Sequence, residues 1–251
     1  MATVTQRIKQ IKQPRGGYIN PKVMQAKEYD DGRSLSDKES LAATTMGLVV
    51  DYMTRFMLTH DALGAFDIPI RGARIFGKEN VVMQQLNLIK GLDDVSIKAA
   101  ARIILVFDAS YRIGLTPQFA LAERSIDELT LKNVKIMVER SLTFFESVGP
   151  VIATEFTFEG GYTNVVTNAD ADYLTKNTIW DMKVSVKSPK KEHTLQLILY
   201  YLLAKRSGQE RFKEIDSLGI FNPRLNTSYS LNVDEVDPEV LEEISTNVLG
   251  V

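Results

Sequence analysis

The sequence predicts an α/β protein: a mostly helical first half, then a core running helix, three strands, helix, strand. Apolar residues recur at helical spacing through most of residues 36–147. From 151 to 185 that period gives way to short runs broken by turn residues. The stretch KEHTLQLILYYLLAKR (191–206) then returns to an amphipathic helix, and IDSLGIF (215–221) follows as a buried strand.

The organisation divides at residues 33 and 125. Residues 1–33 read as an irregular basic arm, broken by Pro14, Gly16, Gly17 and Pro21 and carrying Arg7, Lys9, Lys12 and Arg15. Such an arm is a solvated tail or a segment that touches a partner. Residues 34–125 form the helical region. Ser36 with Glu39 matches an S-x-x-E capping box, and Met46, Val49, Val50, Met53 and Met57 make a core stripe, so a helix is expected over 36–58. AFDIPIRGARIFG (65–77), interrupted by Pro69 and Gly72, reads as short strands or a loop crossing. Two further helices are expected at 79–90 and 94–112, the second closed by Gly114 and Pro117. No chemical constellation stands out in this region, which is a candidate surface for a protein partner.

The core occupies 126–251. Its first helix spans about 127–147, opening at Ser125 or Asp127 and ending at Val-Gly-Pro. Strands follow at 151–158, 165–174 and 178–185, the last two joined by a tight turn around Asn177.

Composition limits the chemistry. The 251 residues have a formal net charge of −2, which excludes a uniformly basic surface and confines nucleic-acid binding to a local patch. With no cysteine, disulfides, thiolate metal sites and a cysteine nucleophile are excluded. Two histidines, His60 and His193, leave no histidine-rich zinc site, and His60 belongs to no recognisable triad. No apolar run spans a bilayer and no signal peptide is visible, so no membrane partner and a cytoplasmic location are expected.

The stretch IWDMKVS (179–185) raises the functional question. Strand alternation puts Asp181 and Lys183 on one face and Trp180, Met182 and Val184 on the other. A hairpin tip at Lys176–Asn177 sets Asp172 opposite Asp181 and Asp170 opposite Lys183. Like charges directly opposite destabilise a sheet, unless they are solvated or share a cation. A hard divalent ion such as Mg²⁺ suits two carboxylates and its own waters. On the helix that follows, Gln196 and Tyr200 lie four apart on one face. They are either hydrogen-bonded at a rim or part of the same site.

The segments ADADYL, IWDMKVS and QLILY resemble the PD-(D/E)XK nuclease superfamily, in particular its RecB-like branch, over roughly residues 127–225. The resemblance implies a restriction-endonuclease-like core and metal-dependent hydrolysis of phosphodiesters in DNA, with RNA second. It implies Asp172 and Asp181 as ligands of Mg²⁺ or Mn²⁺, with Asp170 competing for the first role but Asp172 preferred because it faces Asp181, Lys183 as the catalytic lysine, and Gln196 and Tyr200 as the Q-x-x-x-Y pair. A glutamate from the first core helix, Glu139 or Glu146, is a further candidate ligand. Ala171 stands where the motif carries proline. The alternative is a non-catalytic nucleic-acid-binding or assembly module that keeps the fold.

Around this set, Glu155 is expected too far along its strand to share a metal. Ser185 either meets a phosphate or ends the strand. Lys187, Lys190 and Lys191 precede the Gln196 helix and suit phosphate as well as they suit solvent. His193 reads as a surface residue, and Arg224 as a candidate phosphate contact.

Overall fold

The fold is that of a computed structural model, which describes residues 2–251. From the N-terminus it runs through β1 (Ala2–Thr3), α1 (Val4–Gln10) and β2 (Gln25–Glu28). Helices α2 (Ala43–Thr59), α3 (Ala62–Ala65), α4 (Asp67–Ile75), α5 (Glu79–Leu86) and α6 (Asp94–Ile113) follow. Next come α7 (Glu128–Val148), β3 (Ala153–Thr157), β4 (Val166–Asn168), β5 (Asp170–Leu174) and β6 (Thr178–Met182). The chain closes with α8 (Lys191–Ser207), β7 (Ser217–Asn222), β8 (Thr227–Asn232) and α9 (Pro238–Ile244). It forms two compact units, one from the N-terminal stretch up to Tyr29 with Phe145–Val251, the other Asp30–Phe144. No helix among the described residues is long and apolar enough to cross a membrane.

In the helical unit, Met46, Val49, Val50 and Met53 of α2 are fully buried, as their spacing predicts. The expected capping box does not form. Asn133 instead accepts the Ser36 N–H at 3.0 Å and donates to Ser36 O and the Glu39 carboxylate at 2.9 and 2.7 Å. With those groups occupied, α2 begins only at Ala43, without a side-chain cap. Residues 67–75, expected as strand or loop, are helical. Pro69 sits in the first turn of α4, where no intrahelical N–H is needed. Gly72 lets α4 approach α6 so closely that a Cβ there would overlap the Phe107 carbonyl.

In the other unit a six-stranded sheet has the order β2-β8-β7-β6-β5-β3. Neighbours are antiparallel except β6 and β7, which are parallel. A parallel pair needs a crossover, and α8 supplies it. Leu195, Ile198 and Leu199 of α8 join Leu174, Ile179, Leu218 and Ile220 of the sheet in one buried cluster. The Tyr173 ring meets Phe145, the ring centroids 4.5 Å apart. Gly219 leaves room for the Trp180 indole beside it. All five residues of β6 are therefore buried, the state of a strand covered on both faces.

Three expectations need correction. The arm at 1–33 is not irregular: Thr3 and Gln6 form a capping box on α1, Val4 and Ile8 are buried, and β2 pairs with β8. Its Pro and Gly residues mark turns between ordered pieces. The single strand expected over 165–174 is two. The break at Ala169, whose carbonyl accepts the Tyr162 hydroxyl at 3.2 Å, puts β4 beside β1 and β5 in the main sheet. The unit division falls inside α7, not before it. Thr130 and Asn133 of that helix hold Ser40 and Ser36, and Arg140 clamps Asp31 at 2.7 and 2.8 Å.

Candidate active site

The β5–β6 hairpin turns at Lys176–Asn177 as expected, closed by Thr175 N–H donating to Thr178 O at 3.0 Å. Its register pairs Leu174 with Ile179 and Tyr173 with Trp180, and the ladder stops there. At the next position the Asp172 carboxylate takes over as acceptor: Oδ2 receives the Met182 N–H at 2.8 Å. An aspartate in the strand thus replaces a carbonyl, so Asp172 and Asp181 lie side by side where the strands part.

Asp181 is 2% exposed, so its acid–base pair with Lys183 is not the solvated one that an exposed hairpin carries. Lys183 Nζ sits 2.9 Å from Oδ1 and 2.7 Å from Oδ2, with its side chain 28% exposed. A carboxylate that deep in the protein requires a compensating positive charge. The lysine supplies it from the rim, where it still meets solvent.

Helix α8 brings up the second half of the set. Gln196 and Tyr200 are buried, and Gln196 Nε2 donates to the Tyr200 hydroxyl at 2.7 Å. Tyr200 donates in turn to the Asp170 main-chain carbonyl at 2.8 Å. Burial first, then the charges of Asp181 and Asp172, push the Tyr200 hydroxyl well above the usual tyrosine range. Tyr200 therefore remains a protonated donor. The bond to Asp170 O sets the hydroxyl against β5, two residues before Asp172. The Gln-Tyr pair faces the hairpin rather than a rim.

Asp170 enters through its carbonyl, and its residue is exposed at the start of β5. Glu155 lies nearer Asp172 than expected. The β3–β5 register runs Thr154↔Tyr173 and Phe156↔Ala171, which makes Glu155 level with Asp172. Its φ of 47° is left-handed, a strained conformation for a residue with a Cβ. Ser185 lies beyond the end of β6 at Met182 and is held locally: Asn222 binds its main chain on both sides, and its hydroxyl accepts the Lys187 N–H at 3.0 Å. Arg224 is half-buried beyond β7. Of the candidate glutamates, Glu139 pairs with Arg33 inside the helical unit and Glu146 is exposed.

His193 is the residue that sequence reasoning undervalued. It is half-buried, its Nδ1 accepts the Lys190 N–H at 3.2 Å, and it feels the charge of Lys183. Burial first and Lys183 second pull its pKa down to about 4, so the ring is neutral near pH 7. Its place three residues before Gln196, on the same helix face, is the signal that could have found it.

Among the described residues no three His, Cys, Asp or Glu side chains are grouped to hold a metal ion. The donor set of Asp172 and Asp181, two hard oxygen ligands on adjacent strands, still fits a divalent ion that keeps most of its waters. Comparison of the chain with protein-family models, with curated proteins and with solved structures finds no match.

Proposed function

We propose that the chain is a metal-dependent nuclease with a restriction-endonuclease-like core of the RecB-like kind, acting on DNA and less readily on RNA. The observation that carries this reading is the convergence of Asp172, Asp181 and Lys183 from one hairpin with Gln196 and Tyr200 from the crossover helix. The strand order and the single parallel pair agree with it.

Asp172 and Asp181 would hold Mg²⁺ or Mn²⁺. Such an ion lowers the pKa of bound water and offsets charge on a phosphate. Lys183, reaching the aspartates from the solvent side as an ammonium, would orient the attacking water and donate to charge that develops on the phosphate. Tyr200 and Gln196 fix the backbone at Asp170 and hold the hairpin edge in place, which favours a preorganised site. His193, neutral, offers a hydrogen bond at the site without adding charge.

A second reading is favoured by one observation: Lys183 already neutralises Asp181, and no third ligand is grouped with the two aspartates among the described residues. It is a nucleic-acid-binding or assembly module that keeps the fold without cleaving. Incubation of labelled single- and double-stranded DNA and RNA with Mn²⁺ or with EDTA separates the two. Cleavage that needs Mn²⁺ and disappears in Asp181→Asn supports the nuclease. Binding without cleavage under every condition supports the module.

A further inference from the structure

We propose that the N-terminal turn at Arg15 and the lysine loop ahead of α8 form one cradle for the phosphate backbone of a nucleic-acid strand. What lies at the end of the cradle rests on the nuclease reading. The cradle itself does not.

The first 27 residues contain Arg7, Lys9, Lys12, Arg15, Lys22 and Lys27 and no acid. Folding brings the middle of this stretch to the start of α8. The Pro14–Gly17 turn is closed by Gly17 N–H donating to Pro14 O at 2.9 Å. Gly17, at φ +92°, lies so near α8 that a Cβ there would stand 2.6 Å from Lys191 Cβ. Two residues on, Ile19 O accepts the Thr194 hydroxyl at 2.8 Å, which anchors the turn to the helix. Arg15 is thus carried on a docked turn and not on a solvated tail.

From the other side, residues 183–193 bring Lys187, Lys190 and Lys191 against one acid, Glu192. Lys12, Arg15, Lys187 and Lys190 are exposed, and among the described residues none of them enters an ion pair. Cations near the other end of the hairpin differ: Lys176 pairs with Glu214 and Lys213 with Glu210. Uncompensated cations gathered by two segments raise the local potential, and a phosphate backbone relieves it by releasing its own counterions. Under the same turn lies Gln13, 9% exposed, whose Oε1 has no hydrogen-bond partner. The cradle adjoins the candidate site along the chain, since the loop that carries Lys187 and Lys190 begins at Lys183, and His193 accepts the Lys190 N–H.

The test is binding of labelled single-stranded and duplex oligonucleotides to the full chain in EDTA, measured against salt concentration. The double variant Arg15→Glu, Lys190→Glu should bind more weakly than wild type. Its plot of log affinity against log salt should be shallower by about two, one for each phosphate that is no longer neutralised. The control is Arg206→Glu, an exposed cation about 22 Å away at the far end of α8; it should bind as wild type does. Thermal melts should show all three proteins equally stable. A double variant with wild-type affinity and slope overturns the cradle, as does equal weakening by Arg206→Glu or a wild-type chain that binds no oligonucleotide. Weakened binding by a protein that never cleaves in Mn²⁺ keeps the cradle and rejects the nuclease. Cleavage with unchanged binding does the reverse.

Discussion

Each unit of the molecule buries an aspartate near a tyrosine and a cation, but the two sets are connected differently. In the helical unit Tyr52 donates directly to Asp108 at 2.6 Å. Arg112 then bonds both Asp108 and the Tyr52 oxygen at 3.0 Å, closing a triangle. In the sheet unit Tyr200 directs its proton away from the acids to a main-chain carbonyl, and Lys183 meets Asp181 from a half-exposed position. Burial first, and neighbouring aspartates second, raise both hydroxyls well above the usual range. A buried aspartate therefore does not mark a site by itself. The triangle at Asp108 is closed by direct hydrogen bonds among its three members, whereas Asp181 and Asp172 lie on adjacent strands with the part-exposed Lys183 paired to Asp181.

The largest expected effect separates the two sets by activity. Lys183→Met should lower Mn²⁺-dependent cleavage by roughly 10²–10³-fold, the usual worth of one positioned donor to developing charge. Asp108→Asn should leave turnover per folded molecule unchanged. Single-turnover rates on matched, folded protein measure both. Equal losses in the two variants would erase the distinction.

Stability comes next. Lys183→Met leaves the Asp181 carboxylate buried without its cation and should cost about 3 kcal/mol in urea melts. If the aspartates hold a metal, Mn²⁺ should restore most of that loss and stabilise the variant more than wild type. Loss of Arg112 also strips a buried carboxylate of its cation, but Tyr52 still donates to Asp108, so it should cost about 1–3 kcal/mol and respond to no metal.

Removing the hydroxyls is a finer probe. Tyr52→Phe and Tyr200→Phe each lose two hydrogen bonds and should cost about 1–2 kcal/mol. Only Tyr200→Phe should also slow turnover with little change in nucleic-acid binding. A Tyr200→Phe enzyme with wild-type turnover would reduce Tyr200 to packing.

The smallest expected effect is in pH dependence. His193 holds its proton less well folded than unfolded, with a pKa of about 4 against an ordinary 6.5. The unfolded chain therefore binds more protons between those values, and stability falls as pH drops from about 6.5 to about 4. Its contribution is fully present above that window. In the helical unit, Arg140 beside Asp31 holds the carboxyl well below its ordinary 3.8. That contribution is present above 3.8 and is lost only as pH falls further. Urea melts against pH should thus show the sheet unit loosening in milder acid, and His193→Gln should flatten the upper part of the curve.

Much of this was legible from the residues alone. Helix and strand periods located α2, α6, α7, α8 and β7 to within a few residues, apart from the start of α2, because each buries one continuous face. The tight turn at Lys176–Asn177 set the hairpin register, and with it the adjacency of Asp172 and Asp181. The four-residue spacing of Gln196 and Tyr200 placed them on one helix face, since helix geometry is local. The Ser36–Glu39 cap misled because Asn133, far along the chain, holds those groups, and the 65–77 stretch misled because Pro69 falls in a helix first turn that it does not break.

The sequence by itself determined the long helices α6, α7 and α8, the strand β7, the hairpin pairing and the chemical identity of the candidate set. These follow from backbone periodicity and turn chemistry, which act over a few residues. Only the tertiary structure decided that Asp181 is buried and Lys183 half-exposed, that Tyr200 turns to Asp170, and that the basic N-terminal turn docks beside Lys191. Burial and long-range packing depend on which faces meet across the sheet and the crossover helix, and no local pattern specifies that.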